Sequence, residues 1–208
     1  MAARRTAAAL LLLVLLTSCT GNAGPEPGHG AGPPPTTAAP APSGHPTDAA
    51  WVQLMVPMDE QAVVLLGLAA REATGPGLRP WAARLRAELA SELGDLRRLR
   101  DRMGLPDTDL HKGHDMPGMV TDQDLDDARA ARGSAFDSLL VAQMHDHLRQ
   151  SAQVSRSEVT AGTRAEARER AGTLVTARGG QLAALAALCA GTPTDVPEPF
   201  ACPSDHPV

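Results

Sequence analysis

Aromatic side chains are scarce in this chain: two Trp, two Phe and no Tyr among 208 residues. There is little to stack on bases, and no cluster of Lys and Arg to follow a phosphate backbone. The formal net charge of −5 works in the same direction, so nucleic acid is not an expected partner. No run alternates between apolar and polar residues at period two, which excludes a half-buried sheet. The HExxH, GxSxG, P-loop and CxxC patterns are also absent, and with them the chemistries those spacings support.

Cysteine is sparse, at three residues, and each has a place. The N-terminal stretch "MAARRTAAALLLLVLLTSC" has a charged start at Arg4 and Arg5. An apolar run from Ala7 to Leu16 follows, too short to span a bilayer comfortably. This is the layout of a secretory signal over residues 1–18. Its end, Leu16-Thr17-Ser18-Cys19, resembles the lipobox of bacterial lipoproteins. The resemblance implies cleavage before Cys19, acylation of its thiol, and a membrane contact made by lipid on the extracytoplasmic face. Cleavage removes Arg4 and Arg5 and no acid, moving the net charge from −5 to −7. Cys189 and Cys202 then remain as an even pair in an oxidising compartment. They are either bridged, which ties the Pro-rich tail 191–208 to the last helix at a gain of ~3 kcal/mol, or two separate thiols.

Residues 19–46 are Gly, Pro, Ala, Ser and Thr with almost nothing large and apolar. They cannot bury enough surface to fold, so they read as a linker spanning on the order of 30 Å. From Asp48 the period becomes helical. Trp51, Met55, Ala62, Leu65, Leu66 and Ala69 share one stripe, with Pro57 inside it as an expected kink. After "TGPG", Leu85, Leu89, Leu93, Leu96, Leu99 and Met103 recur every three or four residues along a helix over 79–103. The segment "GLPDTDLHKGHDMPGM" reads as loop, and Thr121 with Asp124 as a capping box for a short acidic helix. Long helices are expected over 134–159 and 163–190. The fold class is therefore all-α, an antiparallel four-helix bundle over residues 47–190.

The two halves match without a gap at an offset of 89 positions: Val52 with Val141, Met55 with Met144, Leu85 with Leu174, and Leu96 with Leu185. Such self-similarity reads as a duplicated helical hairpin. In it, "LMVPMDEQAV" and "FDSLLVAQMHDHLRQSA" resemble the two copies of a motif of the domain of unknown function 305 family. "MPGM" followed by Thr121 resembles that family's segment between hairpins. The resemblance covers roughly residues 48–190. It implies a ferritin-like fold, export from the cytoplasm, and copper binding in some members, with no general catalytic activity. The family's paired histidines fall on Met58 and Asp59 in the first half, and on His147 and Leu148 in the second. Its Gln and Glu fall on Leu89 and Glu92, then on Arg178 and Gln181. One histidine of four survives, so the resemblance carries the fold further than the metal site.

Candidate ligands remain. Met144 and His147 share a helical face at i and i+3, where His147 is either a hydrogen-bonded core histidine or a ligand. His145 lies about 200° around the helix from it and is expected at the surface. In the loop, His111, His114, Met116 and Met119 are free of helical angles. Imidazole with thioether is a soft set suited to Cu(I), while loop methionines also serve as apolar lids. Arg178 sits on an inner stripe. It either replaces the lost metal charge facing Asp59 or Glu92, or reaches out to solvent.

Three functions compete. One is a non-enzymatic lipoprotein that binds copper or another soft metal, and the second is a structural or interaction module that kept only the bundle. The third, a ferritin-like oxidase, needs Glu-x-x-His on bundle helices. Only Glu26 has a His three residues on, in the linker sequence "EPGH". An enzyme is not expected.

Overall fold

The computed structural model describes residues 46–190 together with Cys202. The proposed signal, Cys19 and most of the linker and tail lie outside the described residues. Five helices follow in order: α1 Pro46–Glu72, α2 Leu78–Arg102, α3 Asp122–Ala130, α4 Ser134–Ala161 and α5 Ala165–Ala190. No strand occurs among the described residues. The four long helices form the expected bundle, and the expected boundaries differ from these by one or two positions.

Pro57 does not divide α1, which runs as one helix through it. The ring costs one backbone hydrogen bond, and burial of the helix on both sides of it holds the backbone in place. Thr121 caps α3 as its sequence implies, with Asp124 N–H donating to Thr121 Oγ1 and Thr121 N–H donating back to Asp124. Gln61 of α1 and Gln143 of α4 each donate to an aspartate of α3, at 3.2 and 2.7 Å. The short helix is thereby pinned across both hairpins.

The duplication reappears as a pair of reciprocal caps. α1 and α4 run antiparallel, so each begins beside the link of the opposite hairpin. Asp137, early in α4, accepts from Thr74 N, Thr74 Oγ1 and Gly75 N, the last at 2.7 Å. Asp48, early in α1, accepts from Thr163 N, Thr163 Oγ1 and Arg164 N, the first at 2.9 Å. Asp48 and Asp137 are 89 positions apart, and so are Thr74 and Thr163. Both aspartates are fully buried, which such a carboxylate tolerates only when its lone pairs are filled. Burial pushes the Asp48 carboxyl up, but the N–H and hydroxyl donors outweigh it and hold it below its ordinary value. Glu158, whose counterpart at the same offset is Ala69, breaks the symmetry. It is buried beside Asp48, and burial with Asp48's charge raises it to about 8.

The apolar core has two parts. One holds Leu65, Leu66, Trp81, Phe136, Leu140, Met144 and Leu185. The other holds Trp51, Met55, Met58, Leu96, Met103, Met119 and Leu174. Cys189 and Cys202 are bridged, with Cα atoms 6.0 Å apart, and both pack against the first part. Between the two parts lies a layer of polar side chains.

Each reciprocal cap fills several donors with one carboxylate. Asp137→Ala and Asp48→Ala should therefore each lower unfolding free energy by roughly 1–3 kcal/mol. The caps sit beyond opposite ends of α1, so the double variant should lose the sum of the two. Urea unfolding of the three variants checks both the size and the additivity.

Candidate functional site

The polar layer interrupts every long helix of the bundle. It draws Asp59 from α1, Glu92 from α2, His147 and Ser151 from α4, and Arg178 and Gln181 from α5. Arg178 is 0% exposed, and its guanidinium is fully engaged. Nε donates to Ser151 Oγ at 2.7 Å. Nη1 donates to Glu92 Oε2 and to Gln181 Oε1, each at 3.0 Å. Nη2 donates to the other Glu92 oxygen and to Asp59 Oδ1 at 3.3 Å. Gln181 continues the chain by donating to Glu88 at 2.9 Å. Of the two sequence readings, Arg178 turned inward is the one the geometry carries, and it meets both Asp59 and Glu92. Ser151 and Glu88 were not singled out from the sequence, and Gln181 entered only as the position onto which the family's Glu falls. The repeat offset was the available signal, since it sets Ser151 against Ala62, Gln181 against Glu92 and Arg178 against Leu89.

Two acids share one guanidinium, and their titration follows. Burial raises Asp59 to about 6, against the pull of Arg178. Burial and the neighbouring Asp59 charge raise Glu92 to about 8. Near neutral pH the pair holds about one proton and one negative charge, which balances Arg178. His147 is also 0% exposed, and burial together with Arg178 depresses it to about 3, so it is neutral. Its Nδ1 lies 3.3 Å from the Gly118 carbonyl and its Nε2 lies 3.4 Å from Asp59 Oδ1. Nε2 and Asp59 Oδ2 have no hydrogen-bond partner among the described residues.

These are the positions onto which the family resemblance maps paired histidines, Gln and Glu. They do not fit a metal ion here. A guanidinium with a fixed positive charge fills the centre, and both carboxylates are already turned toward it.

The loop is a separate place. His111, His114 and Met119 line one cleft of about 660 Å3, together with Gln61, Asp122 and Asp124. His111 is half-buried and His114 exposed, and a turn from His111 C=O to His114 N–H at 2.9 Å joins them. Met116 and Met119 differ from the histidines, because both pack against the second part of the core, Met119 almost completely. Met144 is buried in the other part of the core and does not line the cleft. Among the described residues no three His, Cys, Asp or Glu side chains are disposed to hold a metal. By chemistry the cleft suits a soft ion, with two imidazoles and one thioether among its lining side chains. His145 departs from expectation: its side chain is 12% exposed, in the groove between α4 and α5 beside Arg149 and Leu182. With α1 and α5 packed on either side of α4, a residue two positions from the inner stripe meets the seam between helices.

A family model described as domain of unknown function (DUF305) matches residues 48–189. Among solved structures, a DUF305 protein of Streptomyces coelicolor, whose description assigns it as secreted, is 22% identical. Its TM-score is 0.60, over 69% of this chain and 91% of that one. A DUF305 fragment of Deinococcus radiodurans gives 15% identity and a TM-score of 0.62, over 71% and 97%. CopM in its Cu(II)-bound form gives 18% and 0.58, over 67% and 93%. At these identities the likeness is one of fold. A comparison with curated proteins finds no match.

The raised carboxyls set a pH dependence. In the unfolded chain Glu92 and Glu158 ionise near their ordinary value, about 4.3, whereas folded they hold protons up to about 8. The folded state then binds more protons, and stability falls as pH rises through that range. Buried neutral His147 acts oppositely, but only below about pH 6.5, where the unfolded histidine takes up a proton. Between pH 7 and 8.5 the thermal midpoint should fall by several degrees, and Glu92→Gln should flatten that slope. Calorimetry across the window is the check, and an unchanged slope in the variant would contradict the assignment.

Proposed function

The chain belongs to the domain of unknown function 305 family, and from that premise we propose that it is an extracytoplasmic lipoprotein. Its bundle presents a loop that captures a soft metal ion, with Cu(I) the best match to the donors. It is a binding protein and not an enzyme. Its membrane contact is the lipid on Cys19, and it has no nucleic-acid partner. The observation that carries this reading is that His111, His114 and Met119 line the same cleft. Met116, joined to Met119 by a turn, is a fourth soft donor, half-buried against the core and not among the residues that line the cleft. Export is supported by the signal-like N-terminus and by the Streptomyces coelicolor neighbour assigned as secreted. Copper is supported by the donor set and by CopM, a neighbour whose Cu(II)-bound form has this fold.

Capture by the loop is selective more than tight. The exposed segment that carries the imidazoles must be ordered on binding, and that subtracts from affinity. A second reading is favoured by one observation, the filled polar layer. With Arg178 where a metal would sit, the bundle needs no ion, and the protein serves as an interaction module.

Titration of the purified protein with Cu(I) against a competing chelator separates the two. The first reading expects binding that is lost when His111, His114, Met116 and Met119 are all changed to Ala. Binding that survives in that variant would place the site elsewhere, and no binding in the unaltered protein would leave the interaction module.

A further inference from the structure

The loop has two parts with different attachments. Its tip, residues 111–115, is half-buried at His111 and exposed beyond it. Its base, "MPGM", is a tight turn in which Met119 N–H donates to Met116 C=O at 3.0 Å. Pro117 and Gly118 take the two central positions, Gly118 at φ +74°, the pairing that a type II turn favours. Gly118 also presses on α4. A Cβ built there would lie 2.4 Å from Gln150 Cβ and 2.9 Å from the Asp146 carbonyl. At that point of contact the Gly118 carbonyl faces His147 Nδ1.

Among the described residues only the Gly118 carbonyl meets His147 with hydrogen-bond geometry, whereas Nε2 beside Asp59 has no hydrogen-bond partner. A carbonyl oxygen can only accept, so Nδ1 carries the proton of this neutral imidazole and Nε2 the lone pair. Nε2 faces Asp59 in the buried layer. His147 is fully buried and does not line the cleft where His111, His114 and Met119 meet. Its lone pair therefore points away from any ion held there.

We infer that His147 is a positioning residue, a latch whose Nδ1–H holds the loop base against α4 so that Met119 is set in the cleft wall ahead of metal arrival. This rests on the loop reading above and gives the one surviving family histidine a task other than ligation. The latch lowers the ordering cost of capture, because the base is fixed and only the histidine tip has to be ordered. Thr121, the N-cap of α3 and joined to Asp124 by two reciprocal hydrogen bonds, clamps the chain on the other side of Met119.

Two amide substitutions separate the nitrogens. His147→Asn keeps an N–H near Nδ1 and leaves nothing near Nε2, while His147→Gln places its amide near Nε2 and loses the Nδ1 donor. Hydrogen exchange of the Met119 amide in metal-free protein is the first readout, and Cu(I) affinity by chelator competition the second. His147→Gln should speed the exchange and weaken affinity, each by about fivefold to tenfold. His147→Asn should stay within about twofold of the unaltered protein in both. Equal loss of affinity in both variants, with exchange unchanged, would make the imidazole a ligand and overturn the latch. No change in either readout would overturn it as well. Gly118→Ala, which attacks the contact from the loop side, should match His147→Gln in exchange, and an unaltered Met119 amide there would also refute the latch. If the unaltered protein binds no Cu(I), the loop reading fails alone, and the exchange readout still decides the latch.

Discussion

The ion cluster of Arg178, Glu92 and Asp59 is the constraint on which the bundle is arranged. A guanidinium removed from water costs several kcal/mol unless its donors are filled and its charge is met. Here both conditions bind the helices to one register. Slide α5 by one turn, and Arg178 loses Glu92 of α2, Asp59 of α1 and Ser151 of α4 together. Apolar contacts between Leu and Ala faces discriminate far less between neighbouring registers, since many pairings bury similar area. The cluster thus supplies position more than net stability, in line with the near break-even energetics of buried ion pairs.

The same layer explains how the halves came to differ. At the offset of 89, Leu89 corresponds to Arg178, Glu92 to Gln181, and Asp59 to Leu148. One half brings the acids and the other brings the cation. A site that resembles a metal centre by position is satisfied by protein charges alone, and the two acids share the proton that completes the balance. The outer caps keep the opposite pattern, with identical Asp and Thr in both halves. The Asp and Thr pairing is retained where the chain turns, with Glu158 as a departure beside it, and symmetry is lost where the centre is filled.

Much of this was legible in the sequence. The three-to-four spacing of Leu85 through Met103, the breaker after α1 and the Thr121 box are local signals, and they placed the helices. The inner stripe of α5 marked Arg178 as misplaced for solvent, so its pairing with Glu92 or Asp59 could be anticipated. The caps were harder, because Asp48 meets Thr163 across 115 positions and nothing local marks either residue. Only the repeat offset connects them. The contact of His147 with Gly118 was out of reach altogether, since it depends on how closely a glycine turn approaches α4. The loop methionines looked like equals of the histidines, yet their burial beside Met55 and Met103 assigns them to the core as much as to any ligand set.

The most direct test of the account is the unfolding free energy of two variants. Arg178→Leu alone leaves Asp59 and Glu92 buried without their cation, and should cost about 3–5 kcal/mol. The triple variant Arg178→Leu, Glu92→Gln, Asp59→Leu gives each position the residue of its repeat counterpart, and should recover most of that loss. If Arg178→Leu is neutral, or if the triple variant is no more stable than the single one, the charge cluster is not what the centre of the bundle is built around.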